Sequence, residues 1–283
     1  MKELFSSSND LLCGIKRAQD CDITTLQSFS NYSVILISQG KGVYHADFGA
    51  FPFEGPVLMF STPLQHIYIQ SETAIDFTML QFHGDFYCIE YHKEQVACNG
   101  LLFNNIYIEP SVMLTDIELN DFNRFLEEIE SELIQPLPDK MVVISYLQLL
   151  LAKSSNIKMK SMKLQKQLNE KDEQMELFRK LLEENYLTLH KPNDYASLLA
   201  MSPNNLSKRS LRHFKKSPSS LIHERLILEA KKKLHLTRLS IKEIAASLNF
   251  EDEYYFSRFF KKHSKVSPQI FRNKTGISVM ADK

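Results

Sequence analysis

The chain has 283 residues, 43% hydrophobic and 24% charged, the balance of a folded soluble protein with length for about two domains. No apolar run reaches the roughly 18 residues of a membrane span, and the opening MKELFSSSNDLL lacks the apolar core of a secretion signal. The net charge of zero conceals a division: residues 175–283 carry 21 Lys+Arg against 11 Asp+Glu, and residues 1–174 carry 13 against 23. Such asymmetry suggests that the basic half meets a polyanion, although solvated Lys-rich helices would give the same count. Cys13, Cys21, Cys88 and Cys98 form no CxxC pair and read as free thiols in a reducing, cytoplasmic setting.

In chain order, SVILISQG, GVYHADFG, PVLMFSTP, HIYIQS and AIDFTMLQF are short β-branched or aromatic runs bounded by Gly, Pro, Ser and Asn. They predict strands from residue 31 to about 110, spaced as in a small sandwich or barrel. The pattern then turns helical. TDIELNDFNRFLEEIESEL opens with Thr115 and Glu118 at capping-box spacing, and Ile117, Phe122, Phe125, Leu126, Ile129 and Leu133 recur at helical intervals. Pro136 and Pro138 end this helix, and Asp139 can cap KMVVISYLQLLLAK. That second helix is apolar nearly all round, so it is buried in its own domain or shared with a partner chain. Residues 154–174, polar and Ser- and Lys-rich, predict a partly helical linker and a domain boundary.

The remainder reads as all helix. MELFRKLLEENY is amphipathic and NDYASLLA is short. SPNNLSKRSLRHFKK and SPSSLIHERLILEAKKKLHL both begin with Ser at the N-cap and Pro at the first helical position. SIKEIAASL carries the capping box Ser240…Glu243, and SPQIFRN closes the set. This half repeats itself: LSKRSLRHFKKSP, from Leu206, and FSRFFKKHSKVSP, from Phe256, have equal length and end alike, and ASLLAM matches ASLNF upstream after a one-residue adjustment. Each copy is a short helix, a tight turn and a second helix, the helix-turn-helix arrangement. A helix of this kind is narrow enough to enter the DNA major groove, where base edges present a readable pattern of donors and acceptors.

The C-terminal half resembles the DNA-binding domain of AraC-type (AraC/XylS) transcriptional regulators. The second copy carries the likeness most specifically, through IKEIAASLNFEDEYYFSRFFKKHSKVSPQIFR. The strand-rich N-terminal part and the two helices after it resemble that family's cupin-like effector domain and dimerisation helices. The resemblance implies a multidomain α+β fold. It would have a cupin-like β-barrel at 1–114, a helical dimerisation segment and linker at 115–174, and an all-α domain with two helix-turn-helix units at 175–283. It puts Glu253, Tyr254, Ser257 and Arg258 on the groove-facing side of the second unit, with Phe256, Phe259 and Phe260 in the core. The corresponding candidates in the first unit are Asn204, Asn205, Ser207 and Lys208. Arg258 could donate to guanine or phosphate, Asn to adenine, and Glu253 could accept from cytosine. Lys215, Lys216, Lys261 and Lys262 would contact phosphates or enrich the field. The first copy departs from the pattern: Arg209 and Ser210 stand where Phe259 and Phe260 do. This suggests a rotated helix with Leu211 and Phe214 in the core, and leaves the register open.

The expected function is that of a cytoplasmic, sequence-specific DNA-binding transcriptional regulator and not an enzyme. Its partners would be promoter DNA, a second copy of the chain, an unidentified small-molecule effector and, as a further candidate, RNA polymerase. Tyr44, Phe60 and His66 could line an effector pocket in the barrel, with a plain packed core as the alternative. No metal or other cofactor is expected, because His45, His66 and His83 stand apart with no HxH pair. The rival reading is a metal-dependent cupin enzyme with an appended interaction module, its ligands converging only in space. FHGDFYCIEYHKEQVACNGLLFNN resembles segments of some regulators of the family, with no physical role evident from its residues.

Overall fold

The computed structural model describes residues 2–6, 11–47, 49–71, 73–89, 101–103, 105–168 and 172–275. Cys98 and the rest of residues 90–100 therefore lie outside the described residues. The fold is mixed α+β, with a sheet-rich N-terminal region and a helical C-terminal region. It divides into two compact units: Met1–Asn105 with Glu109–Leu164, and Ile106–Ile108 with Gln165–Lys283.

The first unit contains β1 (Lys2–Phe5), β2 (Leu11–Arg17), β3 (Gln27–Ser28), β4 (Tyr32–Gln39), β5 (Lys41–Ala46), β6 (Gly49–Glu54), β7 (Val57–Ser61), β8 (His66–Ser71), β9 (Asp76–Phe82) and β10 (Ser111–Met113). They form a six-stranded sheet in the order β1-β2-β9-β4-β7-β10 and a four-stranded sheet in the order β3-β8-β5-β6. Every pairing is antiparallel. The five expected runs all lie on strands. Sheet structure also begins earlier than residue 31, because β1 pairs with β2, and β2 pairs with β9. The short edge strand β6 escaped notice because its GAFPFE sequence contains Pro52, which only an edge accepts without losing a ladder bond.

Alternation along β4 explains the apolar run SVILIS. Ile35 and Ile37 face the four-stranded sheet, in one core with Met59, Phe77 and Met79 from the larger sheet and Tyr44, Ile67 and Ile69 from the smaller. Val34 and Leu36 face the other way, in a second core with Phe60, Leu80 and Phe82 and with the helices that follow. A strand buried on both faces reads as continuous hydrophobicity. A slip of one residue would exchange the two cores, so the pairing of Val34 with Phe60 and Leu80 is strongly specified.

Helix α1 (Asp116–Leu133) forms the expected reciprocal capping box between Thr115 and Glu118 and buries Phe122, Phe125, Leu126, Ile129 and Leu133. Ile117, counted with the apolar face in the sequence, is exposed. Helix α2 (Lys140–Leu168) continues well into the polar stretch read as linker. It buries Val143, Leu147, Leu150 and Leu151 at helical spacing, and then Ser154, Ser155 and Lys158. The Lys158 ammonium donates to the carbonyls of Glu109 (3.0 Å) and Ser111 (2.6 Å), which explains how a lysine is tolerated there. Burial holds its pKa below the ordinary lysine value.

The helices of the second unit are α3 (Glu173–Asn185), α4 (Pro192–Leu198), α5 (Pro203–Phe214), α6 (Pro218–Leu236), α7 (Ile241–Ser247), α8 (Glu253–Ser264) and α9 (Pro268–Thr275). Met175, Phe178 and Leu182 of α3 pack with Tyr195, Leu206, Leu221 and Leu226. Ile106 is part of the same core.

Candidate nucleic-acid interface

The two halves of the second unit are built alike. Helices α5 and α8 each have 12 residues. Ser202 caps the first, its hydroxyl accepting the Asn205 amide at 3.2 Å. Asp252 caps the second, its carboxylate accepting the amides of Tyr254 (3.0 Å) and Tyr255 (2.8 Å). Both helices end on a lysine in the left-handed region, Lys215 (φ 59°) and Lys265 (φ 61°), ahead of a Ser-Pro start to the next helix. The preceding turns also match. Ala200 (φ 51°) and Asn249 (φ 59°) reverse the chain. The amides of Met201 and Phe250 then bond back to the carbonyls of Ala196 and Ala245. The second turn is one residue longer before its cap, which accounts for the adjustment needed to align the two copies.

The burial of the two helices fixes their register. Leu206 and Ser210 of α5 are buried, as are Phe256 and Phe260 of α8. The outer stripe therefore holds Asn204, Asn205, Lys208, Leu211 and Arg212 on α5, and Tyr254, Tyr255, Arg258, Lys261 and Lys262 on α8. Ser207, Ser257 and Glu253 are half-buried on the flank of this stripe. All ten candidates thus lie on or beside one face of their helix. Tyr255, Leu211 and Arg212 join that face without having been named as candidates, although the i, i+1, i+4, i+7, i+8 spacing from Asn204 and Tyr254 contained them.

The rotated first helix is corrected by this register. Leu211 is 52% exposed and Ser210 is fully buried, its hydroxyl donating to the Lys216 carbonyl at 2.7 Å. Arg209, in place of an aromatic, turns to the Asp172 carboxylate at the cap of α3. That bond holds the Asp172 pKa below the usual carboxylate range. The equivalent Phe259 instead packs against Phe250, His223 and His263. Burial, followed by the neighbouring His223 and then Lys262 and Lys265, pulls the His263 pKa down to about 4.

Lys216 is also corrected as a phosphate ligand. Its ammonium lies inward, 2.6 Å from Glu224 and 3.0 Å from the Ile106 carbonyl. Lys215, Lys261 and Lys262 remain exposed. An exposed basic stripe with polar or aromatic tips at the start of a helix suits phosphate contact along its length and base-edge contact near its start.

The three residues placed in an effector pocket do not share one. Tyr44 is buried between the sheets, its hydroxyl donating to the Phe60 carbonyl at 3.2 Å. The Phe60 ring is on the opposite face of the larger sheet, among aromatics including Phe103. His66 lies at the start of β8, with Nδ1 3.8 Å from Asp47. A cleft of about 710 Å³ opens elsewhere in this unit, lined by Asp20, Asp22, Ile23, Gln70, Ile75 and Phe77 among others. Among the described residues, no group of three or more His, Cys, Asp and Glu is placed to hold a metal ion, and no helix is long and apolar enough to cross a membrane.

Two equivalent capped helices, each led in by a short helix and a reversing turn, have the geometry of the helix-turn-helix arrangement. Residues 195–274 match a family model described as a helix-turn-helix domain. The chain is 31% identical over 126 residues to the raffinose operon transcriptional regulatory protein RafR of Pediococcus pentosaceus, a match covering 44% of this chain and 42% of that protein. It is 35% identical over 77 residues to the arabinose operon regulatory protein of Escherichia coli K12, covering 27% and 26%. The chain thus spans less than half the length of these curated relatives. Among solved structures it is similar to ToxT of Vibrio cholerae in a fatty-acid-bound form, with 17% identity, a TM-score of 0.44 and coverage of 96% of this chain and 97% of that one. It is also similar to the C-terminal domain of the response regulator yesN of Fusobacterium nucleatum, with 28% identity, a TM-score of 0.33, and coverage of 35% and 96%.

Proposed function

We propose that this chain is a sequence-specific DNA-binding transcriptional regulator, with α4–α5 and α7–α8 acting as two helix-turn-helix units. The observation that carries this reading is the matched outer stripe of α5 and α8, basic and exposed at equivalent positions of two equally capped helices. Asn204, Asn205, Tyr254 and Arg258 would read bases from the helix starts, with Ser207, Ser257 and Glu253 at the flank. Lys208, Arg212, Lys261 and Lys262 would neutralise phosphates. The curated relatives are described as operon regulators, which favours this reading.

The two-sheet unit would serve as a cupin-like effector domain, with a small molecule as the signal. An effector regulates only through different affinities for two arrangements of the protein. Two chains would pair through α2, whose Met141, Val142 and Leu149 leave an apolar stripe exposed. No observation favours the metal-dependent enzyme. Selection of bound sequences from a random duplex pool, followed by titration at several salt concentrations, tests the proposal. Enrichment of a defined site and a steep fall of affinity with salt are expected. Binding without sequence preference at any salt concentration would overturn it.

A further inference from the structure

Helix α5 carries a leucine on its outer stripe. Leu211 is 52% exposed and stands between Lys208 and Arg212, which are exposed as well. Each residue advances about 100° around a helix, so positions that share one face recur at i, i+3, i+4 and i+7. Counted from the first turn, these are Asn204, Ser207, Lys208 and Leu211 on α5, and Tyr254, Ser257, Arg258 and Lys261 on α8. A homeodomain reads the major groove through the same spacing of four positions on its third helix. Leu211 lies about 20° around the axis from Asn204 and about 10 Å further along it, in the middle of that arc.

The rotation of α5 is fixed within the helical unit. Leu206 and Ser210 point inward. The Ser210 hydroxyl donates to the Lys216 carbonyl, and on the adjoining flank the Arg209 guanidinium is paired with Asp172, which caps α3. The Phe214 ring packs 6.3 Å from that of Phe178 of α3. Turning Leu211 inward would break these contacts. The two copies therefore differ on the face they present. Lys261, exposed at the equivalent position, carries its charge on a four-carbon stem that can swing to a phosphate. Leucine has neither donor nor charge. In a major groove, the group that rewards it is the C5-methyl of thymine.

We propose that Leu211 is a specificity-determining residue, which packs on a thymine methyl in the part of the DNA site read by α5. The contact distinguishes that part from the one read by α8, where Lys261 supplies charge instead. The assignment rests on the DNA-binding reading. Losing one methyl from such a contact costs about fourfold in affinity. A leucine that merely stands alone on a surface, which is common, would show no such dependence.

The test uses the full-length protein and the duplex it selects from a random pool. Each thymine in turn is replaced by deoxyuridine, which keeps the base pair and removes only the methyl. Wild type is expected to bind about fourfold more weakly when one particular thymine is replaced. Leu211→Ala and Leu211→Gln should bind the unmodified duplex more weakly by a similar factor and be indifferent to that replacement. Leu211→Met should retain the dependence, and Lys261→Ala should retain it while binding more weakly overall. The Leu211 variants should unfold within a few degrees of wild type, because the side chain is exposed and the new residues favour helix. A methyl effect that persists in Leu211→Ala and Leu211→Gln, or none at any thymine, overturns the assignment and leaves the DNA-binding reading in place. A pool that yields no defined site overturns both.

Discussion

Replacing Lys216 with Met separates a structural lysine from a DNA-contacting one. Its side chain is 11% exposed and that of Glu224 is 12% exposed, with 2.6 Å between Nζ and Oε2. Loss of the ammonium would leave a carboxylate out of water without this cation, and would remove the donor to the Ile106 carbonyl. Breaking a buried pair on one side costs about 3–5 kcal/mol, and the remaining exposure here favours the lower end, about 3 kcal/mol. For a helical unit of this size that is a fall in midpoint of roughly 10–20 °C. Thermal and urea unfolding followed by circular dichroism would measure it. The double variant Lys216→Met/Glu224→Leu should recover most of the loss, because the buried carboxylate is removed together with the ammonium. DNA binding at temperatures where both proteins are folded should keep its salt dependence. A variant with unchanged stability and a salt slope reduced by about one would refute the reasoning and return Lys216 to the phosphate contacts.

Arg258→Ala should weaken binding to a selected site by about 1–3 kcal/mol and relax preference at one base position, as read by competition with mutated duplexes. Lys261→Ala and Lys262→Ala should weaken all sequences alike and reduce the salt slope by about one each. Asp252→Ala should cost about 1 kcal/mol of stability by removing the cap from the Tyr254 and Tyr255 amides, measured by urea unfolding. The His263 pKa is depressed in the folded protein, so the unfolded chain binds more protons between about pH 4 and the ordinary histidine value. Stability from this residue is full above that window and is lost as pH falls through it. His263→Gln should flatten the acid limb of a stability–pH curve, and an unchanged limb would remove His263 as its source.

The helical half was legible because its signals are local. Ser-Pro starts, the Ser240…Glu243 box and the 3.6-residue recurrence of apolar residues depend on neighbours within a turn or two, so helix positions follow from sequence alone. The family resemblance, carried to the first copy by the repeat, pointed to Asn204, Lys208, Tyr254 and Arg258, and all four are exposed on their helices. Strands β1 and β2 were missed because a strand's partner is remote: LLCGIKR reads as a strand only once β9 lies beside it. The register of α5 was beyond reach for the same reason. Ser210 and Arg209 look like a broken core until the Lys216 carbonyl and Asp172 are found to satisfy them.

The residues themselves determined two basic, capped, repeated helices and an apolar, strand-rich first half, because capping, helical period and charge are properties of adjacent positions. Only the tertiary structure decided that Lys216 serves the interior, that Tyr44 and Phe60 lie in separate cores, and that Ile106 and Tyr107 belong to the helical unit. Each of these depends on which distant groups share a water-free space, and chain proximity carries no record of that.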